Sequence, residues 1–561
     1  MFSPIAQRSL SVRFLHFSLY ALLLLGAASI VIPFLIMISG SVEPSAGTKA
    51  NLFPNYLFDR EKMWTRYLAA KYQDTAELIS MAWGSPGVSF RKIPLTDLAP
   101  STTKLWKEFL KETEPPVSLQ FLGFLRPSTR MPSYSARQFR IWLLNQYGND
   151  LLRMNEDLGT QFARLEAVQP PRSGLVGPSR PLTPLQKRLD EFMAMQPPER
   201  LIPWNVGGFF RAVYLPTIYG PNVTGYNVKY CTTYASYEEV PFSSTAPEIG
   251  REDWFRFVSR ILCPDFVVLT STGEAAQKAA GIGRLEFIPT MAAPEDVKVN
   301  SLDVSYSEWA AVRGVTEARI PQRALDREAF EKEELFWKWQ FLVLNYQRVL
   351  DDILLHGRAI SNTLILVVLS VAGALIVNPL AAYALSRFKL RKTYHILLFC
   401  LATIAFPAEV TMIPVFLQMK EFHLLNTFGA LVLPSLASGF SIFLLKGFFD
   451  SLPKELYEAA ELDGAGEWTM FWQITMNLSR PILAVIALGA FTAAYGTFFY
   501  ALILAPDPKM WTLMVYIFQL RSGADYPVVY ASLIIAAIPT LLVFVLCQNI
   551  ILRGIVVPSD K

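Results

Sequence analysis

Histidine is nearly absent. Four occur in 561 residues, at positions 16, 356, 395 and 423, so the long polar stretch 41–350 has none. That excludes histidine-based nucleophile triads and zinc sites with histidine ligands from the stretch. Cysteine is as scarce, and four are too few for a disulfide framework. Cys400 and Cys547 fall in apolar runs, whereas Cys231 and Cys263 fall in the polar stretch, where pairing requires export and proximity. Charged residues make up only 17%, and a net charge of +4 gives no footing for a nucleic-acid partner. No G-x-x-x-x-G-K-[ST] phosphate loop occurs, so the chain lacks the usual phosphate-cradling loop for ATP. Nothing in the pattern gathers metal ligands. Paired carboxylates in the polar stretch stay open, because Asp and Glu are plentiful there.

What the chain has in excess is apolar sequence. It is 52% hydrophobic with a mean hydropathy of +0.30, too apolar for an average soluble protein and too polar for one that is all membrane. Residues 14–38 form an apolar run interrupted only by His16 and a few small residues, preceded by Arg8 and Arg13. A run of about 25 residues exceeds a signal-peptide core and spans a bilayer. Five further spans are expected at 359–386, 396–419, 424–449, 481–504 and 528–552. Asn378-Pro379 marks an expected kink in the second. Arg387, Lys389, Arg391 and Lys392 follow that span and mark a cytoplasmic loop by the positive-inside rule. Six spans then place both termini and the loop 451–481 on the cytoplasmic side of a bacterial inner membrane, with residues 41–354 outside. The fold class expected is an α-helical polytopic membrane protein with a soluble, α-rich to mixed insert.

The organisation expected is an N-terminal tail and first span over 1–40, an insert over 41–350, and a membrane core over 355–557. About 300 residues can bury a core of their own. Within the insert, residues 64–85 and 139–160 match at a constant offset of 75: Tyr67 with Trp142, Leu68 with Leu143, Tyr72 with Tyr147, Gly84-Ser85 with Gly159-Thr160. Each reads as a helix, a turn after the tyrosine, a second helix and a glycine stop, so a helical repeat is expected over about 60–165. Proline-rich sequence over about 169–200 reads as a linker, and a mixed α/β part is expected over about 201–320. A re-entry helix over about 325–354 carries Trp337, Trp339 and Tyr346, suited to an interfacial anchor. The insert reads as a docking or scaffold domain rather than an enzyme.

The stretch 451–481 lies between two apolar spans yet is polar at its start. Ser451 and Pro453 supply a helix-start signal, Asp463-Gly464 breaks the helix, and Trp468, Phe471, Trp472 and Ile474 recur at helical spacing. Glu458-Ala459-Ala460, Asp463-Gly464-Ala465, Ile474 and Leu478-Ser479-Arg480-Pro481 together resemble the cytoplasmic EAA loop of binding-protein-dependent ABC importers. Asn362-Thr363-Leu364, Leu380 to Leu385, Ile413-Pro414, Leu425-Asn426-Thr427, Leu433-Pro434 and Gln548 with Arg553-Gly554 extend the resemblance to carbohydrate-importer permeases of the maltose-transporter type. It covers about residues 8–44 and 340–557 and leaves the insert out.

That resemblance implies the six-helix type I importer permease fold and an ATPase-coupling loop built from Glu458, Ala459, Ala460, Asp463, Gly464, Ala465 and Pro481. It implies no cofactor on this chain, with ATP and magnesium held by a separate ABC ATPase dimer. The other partners implied are a second homologous permease, an extracytoplasmic solute-binding protein, membrane lipid, and a small-molecule cargo, usually a sugar. Two departures stand out: Asn477 replaces a usual proline, and Tyr495-Gly496-Thr497 replaces a frequent Trp-Asn-Asp. Glu409 is an acidic residue expected well inside a span, facing a cavity or a polar partner; the other reading has the span end nearer, with Glu409 wetted or at a subunit contact. Asn378, Tyr495 and Thr497 are further cavity candidates. Two other readings stay open: the same permease with a peptide, polyamine or osmolyte as cargo, and a membrane-anchored extracellular sensor or hydrolase.

Overall fold

In a computed structural model of the chain, the described residues are 10–43, 54–90, 93–95, 103–125, 134–148, 150–162, 168–171, 174–179, 183–316, 318–355, 358–388, 391–404, 407–521 and 526–554. Arg8, Lys389 and the chain beyond residue 554 lie outside them. The chain divides into one unit of residues 1–53 with 343–561 and another of residues 54–342.

In the first unit, the longest apolar runs form the longest helices. Leu10–Ser41, Arg358–Arg387 and Tyr526–Gly554 each contain an unbroken stretch long and apolar enough to cross a membrane. Many of their large side chains stay exposed, from Phe14 to Ile38 in the first, as expected of a lipid-facing surface. Gly40 lets the first helix close on the last, since a Cβ there would lie 2.7 Å from the Tyr530 ring. Asn378-Pro379 does not end the second span, which runs on to Arg387.

The other three expected spans are interrupted. The third divides into Thr393–Ile404 and Ala408–Glu421, with Pro407 capping the second piece. Pro407 itself is extended, with ψ of 138°, and proline offers no backbone donor to a preceding turn, so a new helix starts after it. The fourth is a pair, Phe428–Ser435 and Gly439–Asp450, bent by 49°. The fifth runs from Arg480 to Tyr495, stops at Gly496 and resumes as Phe499–Leu504.

The 54–342 unit is built from helices and two small antiparallel ribbons. Strand β1 (Gln120–Leu122) pairs with β2 (Leu201–Pro203), and β3 (Val267–Leu269) pairs with β4 (Val297–Val299). Each strand follows one 3₁₀ turn, and prolines at 116, 198, 264 and 294 open these turns. The expected mixed α/β part therefore has only three-residue strands, among Arg251–Arg260, Ser271–Ala280, Arg284–Thr290 and Leu302–Val312.

Where proline content predicts a linker, the structure has the Pro184–Ala194 helix. Its Leu185, Leu189, Phe192 and Met193 are buried with Phe139, Leu143, Met154 and Leu158. Spacings of three and four put those side chains on one face, and burying them outweighs the prolines at either end. Helices Arg60–Lys71 and Ala76–Trp83, then Tyr134–Gln146 and Leu151–Leu158, follow one plan, ending on Gly84 and Gly159 with φ of 68° and 63°.

The polar centre of this unit is Asp326. Its carboxylate accepts from Tyr72 Oη at 2.6 Å, Trp83 Nε1 at 2.8 Å and Gln322 Nε2 at 2.8 Å, and pairs with Lys71 Nζ at 2.9 Å. Burial is the largest single influence on Lys71 and works against its charge, but the Asp326 carboxylate and Tyr67 together outweigh it and hold the ammonium above its ordinary pKa. Trp337 is not an interfacial anchor. It is buried, stacked on Phe124 at 4.2 Å, whereas Trp339 two residues on is exposed. Cys231 is exposed, Cys263 is buried, and both are free thiols.

Candidate functional site: the elbow between the fourth and fifth spans

Helix Glu455–Leu462 carries Glu458, Ala459 and Ala460 and ends on Asp463. Gly464 then takes φ +78°. Its N–H bonds Glu461 O at 3.0 Å, and Ala465 N–H bonds Ala460 O at 2.9 Å. These two bonds form a Schellman close, which needs a residue in the left-handed region and small side chains at the contact. That explains Gly464, and Ala460 with Ala465, in one stroke. The chain resumes at Glu467, passes through a π-turn at Met470–Thr475 and reaches Leu478, and the helix beginning at Arg480 leaves at 82°. Pro481 lies in the first turn of that helix, where its missing N–H costs nothing.

The elbow has an anchored side and a bare side. On the anchored side, Tyr457, Met470 and Phe471 are buried with Ile442, Leu445, Phe449, Ile482 and Leu483. Tyr457 Oη and Thr475 Oγ1 share a hydrogen bond of 2.8 Å, and the Arg387 guanidinium lies 3.4 Å from the Tyr457 ring centroid. Tyr383 Oη donates to Glu467 Oε2 at 2.6 Å. The second span thus grips the elbow from its Arg387 end.

On the bare side, Leu462 is 90% exposed, Trp468 67% and Trp472 49%, with Glu458 and Asp463 exposed beside them. A single exposed leucine is ordinary, but two tryptophans and a leucine on one rigid turn form a docking surface. The helical spacing of Trp468, Phe471, Trp472 and Ile474 predicts one apolar face. The π-turn divides it, burying Phe471 and leaving both tryptophans out.

The seven residues expected in the coupling loop therefore fall on one elbow. Of the four cavity candidates, three have their polar atoms bonded to backbone groups. Asn378 is buried between helices, donating to Leu436 O at 3.3 Å and Ala374 O at 3.0 Å and accepting from Ser438 N at 2.8 Å. Tyr495 is buried too, and its hydroxyl bonds Ala536 O at 2.6 Å. Thr497 Oγ1 bonds Ala493 O at 2.7 Å at the break of the fifth span. Glu409 is the second residue of the Ala408–Glu421 helix, at a helix start rather than mid-span, and its side chain lies outside the described residues. Sequence reading missed Tyr383, Arg387 and Tyr457 as elbow anchors. An aromatic beside the E-A-A triplet was the available signal for Tyr457. Among the described residues no group of three or more His, Cys, Asp or Glu gathers as metal ligands.

Residues 358–556 match the family described as binding-protein-dependent transport system inner membrane component. The diacetylchitobiose uptake system permease protein of Streptomyces coelicolor is 32% identical over 220 residues, 38% of this chain and 71% of that protein. The sn-glycerol-3-phosphate transport system permease protein of Yersinia enterocolitica is 32% identical over 211 residues, 36% of this chain and 74% of that one. A solved chain from a bacterial ABC transporter for import of the acidic polysaccharide alginate is 28% identical, covering 36% of this chain and 78% of its own. Its TM-score of 0.33 is too low to bear on the fold.

Proposed function

The chain belongs to the family of binding-protein-dependent transport system inner membrane components, and from that membership we propose that it is one permease subunit of an ATP-driven importer for a sugar or oligosaccharide. Its elbow docks on a separate ATP-hydrolysing subunit, and a second, related permease completes the pathway. A solute-binding protein delivers cargo on the side that carries residues 41–354. ATP and magnesium belong to the ATPase, and this chain performs no chemistry on its cargo. The elbow and both chain ends face the cytoplasm.

The observation that carries this reading is the elbow, with Leu462, Trp468 and Trp472 bare on a base that Tyr457, Met470 and Phe471 hold fixed. A fixed base lets force pass, and a bare aromatic surface supplies affinity: a large apolar side chain contributes about 1.5–3 kcal/mol when fully buried. ATP-driven closure of the ATPase pair moves the elbow, the bundle re-opens toward the other side, and hydrolysis resets it. Thr497 and Glu409, at the breaks of the fifth and third spans, are the remaining candidates for the cavity wall, since broken helices offer free backbone ends to a cargo.

The test is affinity purification of the tagged chain from native membranes with mass spectrometry of its companions. An ATPase and a second permease are expected. Recovery of the chain alone, or with a signalling kinase, overturns the importer reading in favour of a membrane-anchored sensor or hydrolase. A second reading keeps the permease and changes the cargo, because one relative is named for sn-glycerol-3-phosphate rather than a sugar. Uptake of labelled oligosaccharide against labelled non-sugar solutes separates the two.

A further inference from the structure

The helix Arg358–Arg387 is tied by side chains at three depths. Near its start, Asn362 Nδ2 donates to Lys509 O at 2.8 Å and Trp511 O at 3.1 Å, and Thr363 Oγ1 accepts from Leu513 N at 2.8 Å. These bonds seize the backbone of residues 505–512, the connection between the fifth span and the helix Leu513–Leu520. Asn426 holds the same connection from the opposite side, accepting from Asp507 N at 3.0 Å. In mid-helix, Asn378 bonds Leu436 O and Ser438 N, the two sides of the 49° bend in the fourth span. At its end, Tyr383 bonds Glu467, Arg387 covers Tyr457, and Ser386 Oγ bonds Asp450 Oδ1 at 2.7 Å. With 30 residues at 1.5 Å each, the helix measures about 45 Å from end to end.

From this juxtaposition we infer that the Arg358–Arg387 helix is the transmission rod of the permease, joining the ATPase-docking elbow to the 505–512 connection at the opposite mouth, with the bend at 436–438 as its hinge. The inference rests on the importer reading above. Displacement passes along a helix only if the helix does not yield. The third span is interrupted at Pro407, the fourth at 436–438 and the fifth at 496–498, and this one is continuous. Coupling between distant sites needs a rigid element and a second element with two arrangements. The rod supplies the first, and the bend held by Asn378 supplies the second. When the elbow shifts, Tyr383 and Arg387 carry the shift into the rod. Asn378 then drags one side of the bend against the other, while Asn362 and Thr363 move the 505–512 backbone. Run backwards, a binding protein pressing on 505–512 reaches the ATPase by the same contacts. Thr363, Asn378 and Tyr383 are thus positioning residues for transport.

The test uses the whole complex with its ATPase, second permease and binding protein in lipid nanodiscs. Thr363→Val keeps shape and removes the acceptor for Leu513 N–H. It is expected to leave assembly and basal ATP hydrolysis intact while lowering binding-protein-stimulated hydrolysis about tenfold, the effect of one lost buried hydrogen bond. Thr363→Ser, which keeps the acceptor, retains stimulation. An environment-sensitive fluorophore on Asp507→Cys, in a chain freed of its four native cysteines, is expected to respond to vanadate trapping of the ATPase. That response should vanish in Tyr383→Phe and persist in Glu467→Gln, which still accepts the tyrosine hydroxyl. Full stimulation in Thr363→Val, or an unchanged fluorophore response in Tyr383→Phe, overturns the rod. A wild-type complex that assembles with no ATPase at all overturns the importer reading instead.

Discussion

Gly464 shows how much one backbone angle can decide. No atom lies within 4 Å of where its Cβ would be, so a larger residue meets no clash; the obstacle is the φ of +78° alone. A left-handed conformation costs an L-residue about 1–2 kcal/mol, more for a β-branched one. Gly464→Val is therefore expected to leave the chain inserted and folded while loosening the Schellman close, so that ATP is hydrolysed without uptake. Paired ATPase and uptake assays check this. Asp326 is the opposite case, where contacts rather than conformation fix the residue. Asp326→Asn leaves the Lys71 ammonium, buried to 1% exposure, without its paired carboxylate and with neutral neighbours such as the Glu199 carbonyl at 2.9 Å and the Tyr67 ring. An uncompensated buried charge costs about 3–5 kcal/mol. Urea unfolding of the full chain, followed by proteolysis within residues 54–342, should show that loss. A matched apolar pair, Lys71→Met with Asp326→Leu, should recover part of it.

At the scale of elements, the elbow owes its use to two helices that each do half a job. The Glu455–Leu462 helix presents its exposed side around Glu458, and the π-turn after Thr469 sends Phe471 inward and Trp468 and Trp472 outward. Trp468→Ala and Trp472→Ala are each expected to cut recovery of the ATPase in co-purification by more than tenfold without lowering the amount of chain in the membrane. Phe471→Ala should instead lower the amount of folded chain, by about 3–5 kcal/mol of lost packing, read as a lower melting temperature. The broken spans belong to this scale too. Pro407, the 436–438 bend and Gly496 interrupt three apolar runs that hydropathy alone reads as continuous.

At the scale of the molecule, the family match begins at residue 358, so the 54–342 unit is an addition to the permease. Within the first unit, the chain segments on either side of that addition are clamped together. Ser41 Oγ and Tyr346 Oη share a hydrogen bond of 2.6 Å, and Asn345 Nδ2 donates to Ser41 O at 2.7 Å and Glu43 O at 3.1 Å. Removing residues 54–342 is thus expected to spare the elbow and ATPase recovery but to disturb delivery by the binding protein. Uptake measured against binding-protein concentration checks this, and normal uptake by the shortened chain would sink a docking role for the insert.

The sequence by itself determined the class of the molecule. Apolar run length, basic flanks and the spacing from Glu458 to Pro481 are local properties, and bilayer thickness and turn geometry read them directly. It also carried the paired helix plan of 60–165, because helix stops are written in single glycines. Tertiary structure alone decided which polar side chains face each other. Asn378 and Tyr495 look like cavity residues when each is read on its own helix, yet they bond segments 60 and 41 residues away along the chain. Trp337 and Trp339 look alike in sequence, and only packing against Phe124 and Tyr67 put one in a core and left the other bare. The prolines of 169–200 suggested a linker until the apolar face of Pro184–Ala194 found Phe139 and Leu143 to cover it. In each case the deciding energy is a contact between distant segments, and no local pattern records it.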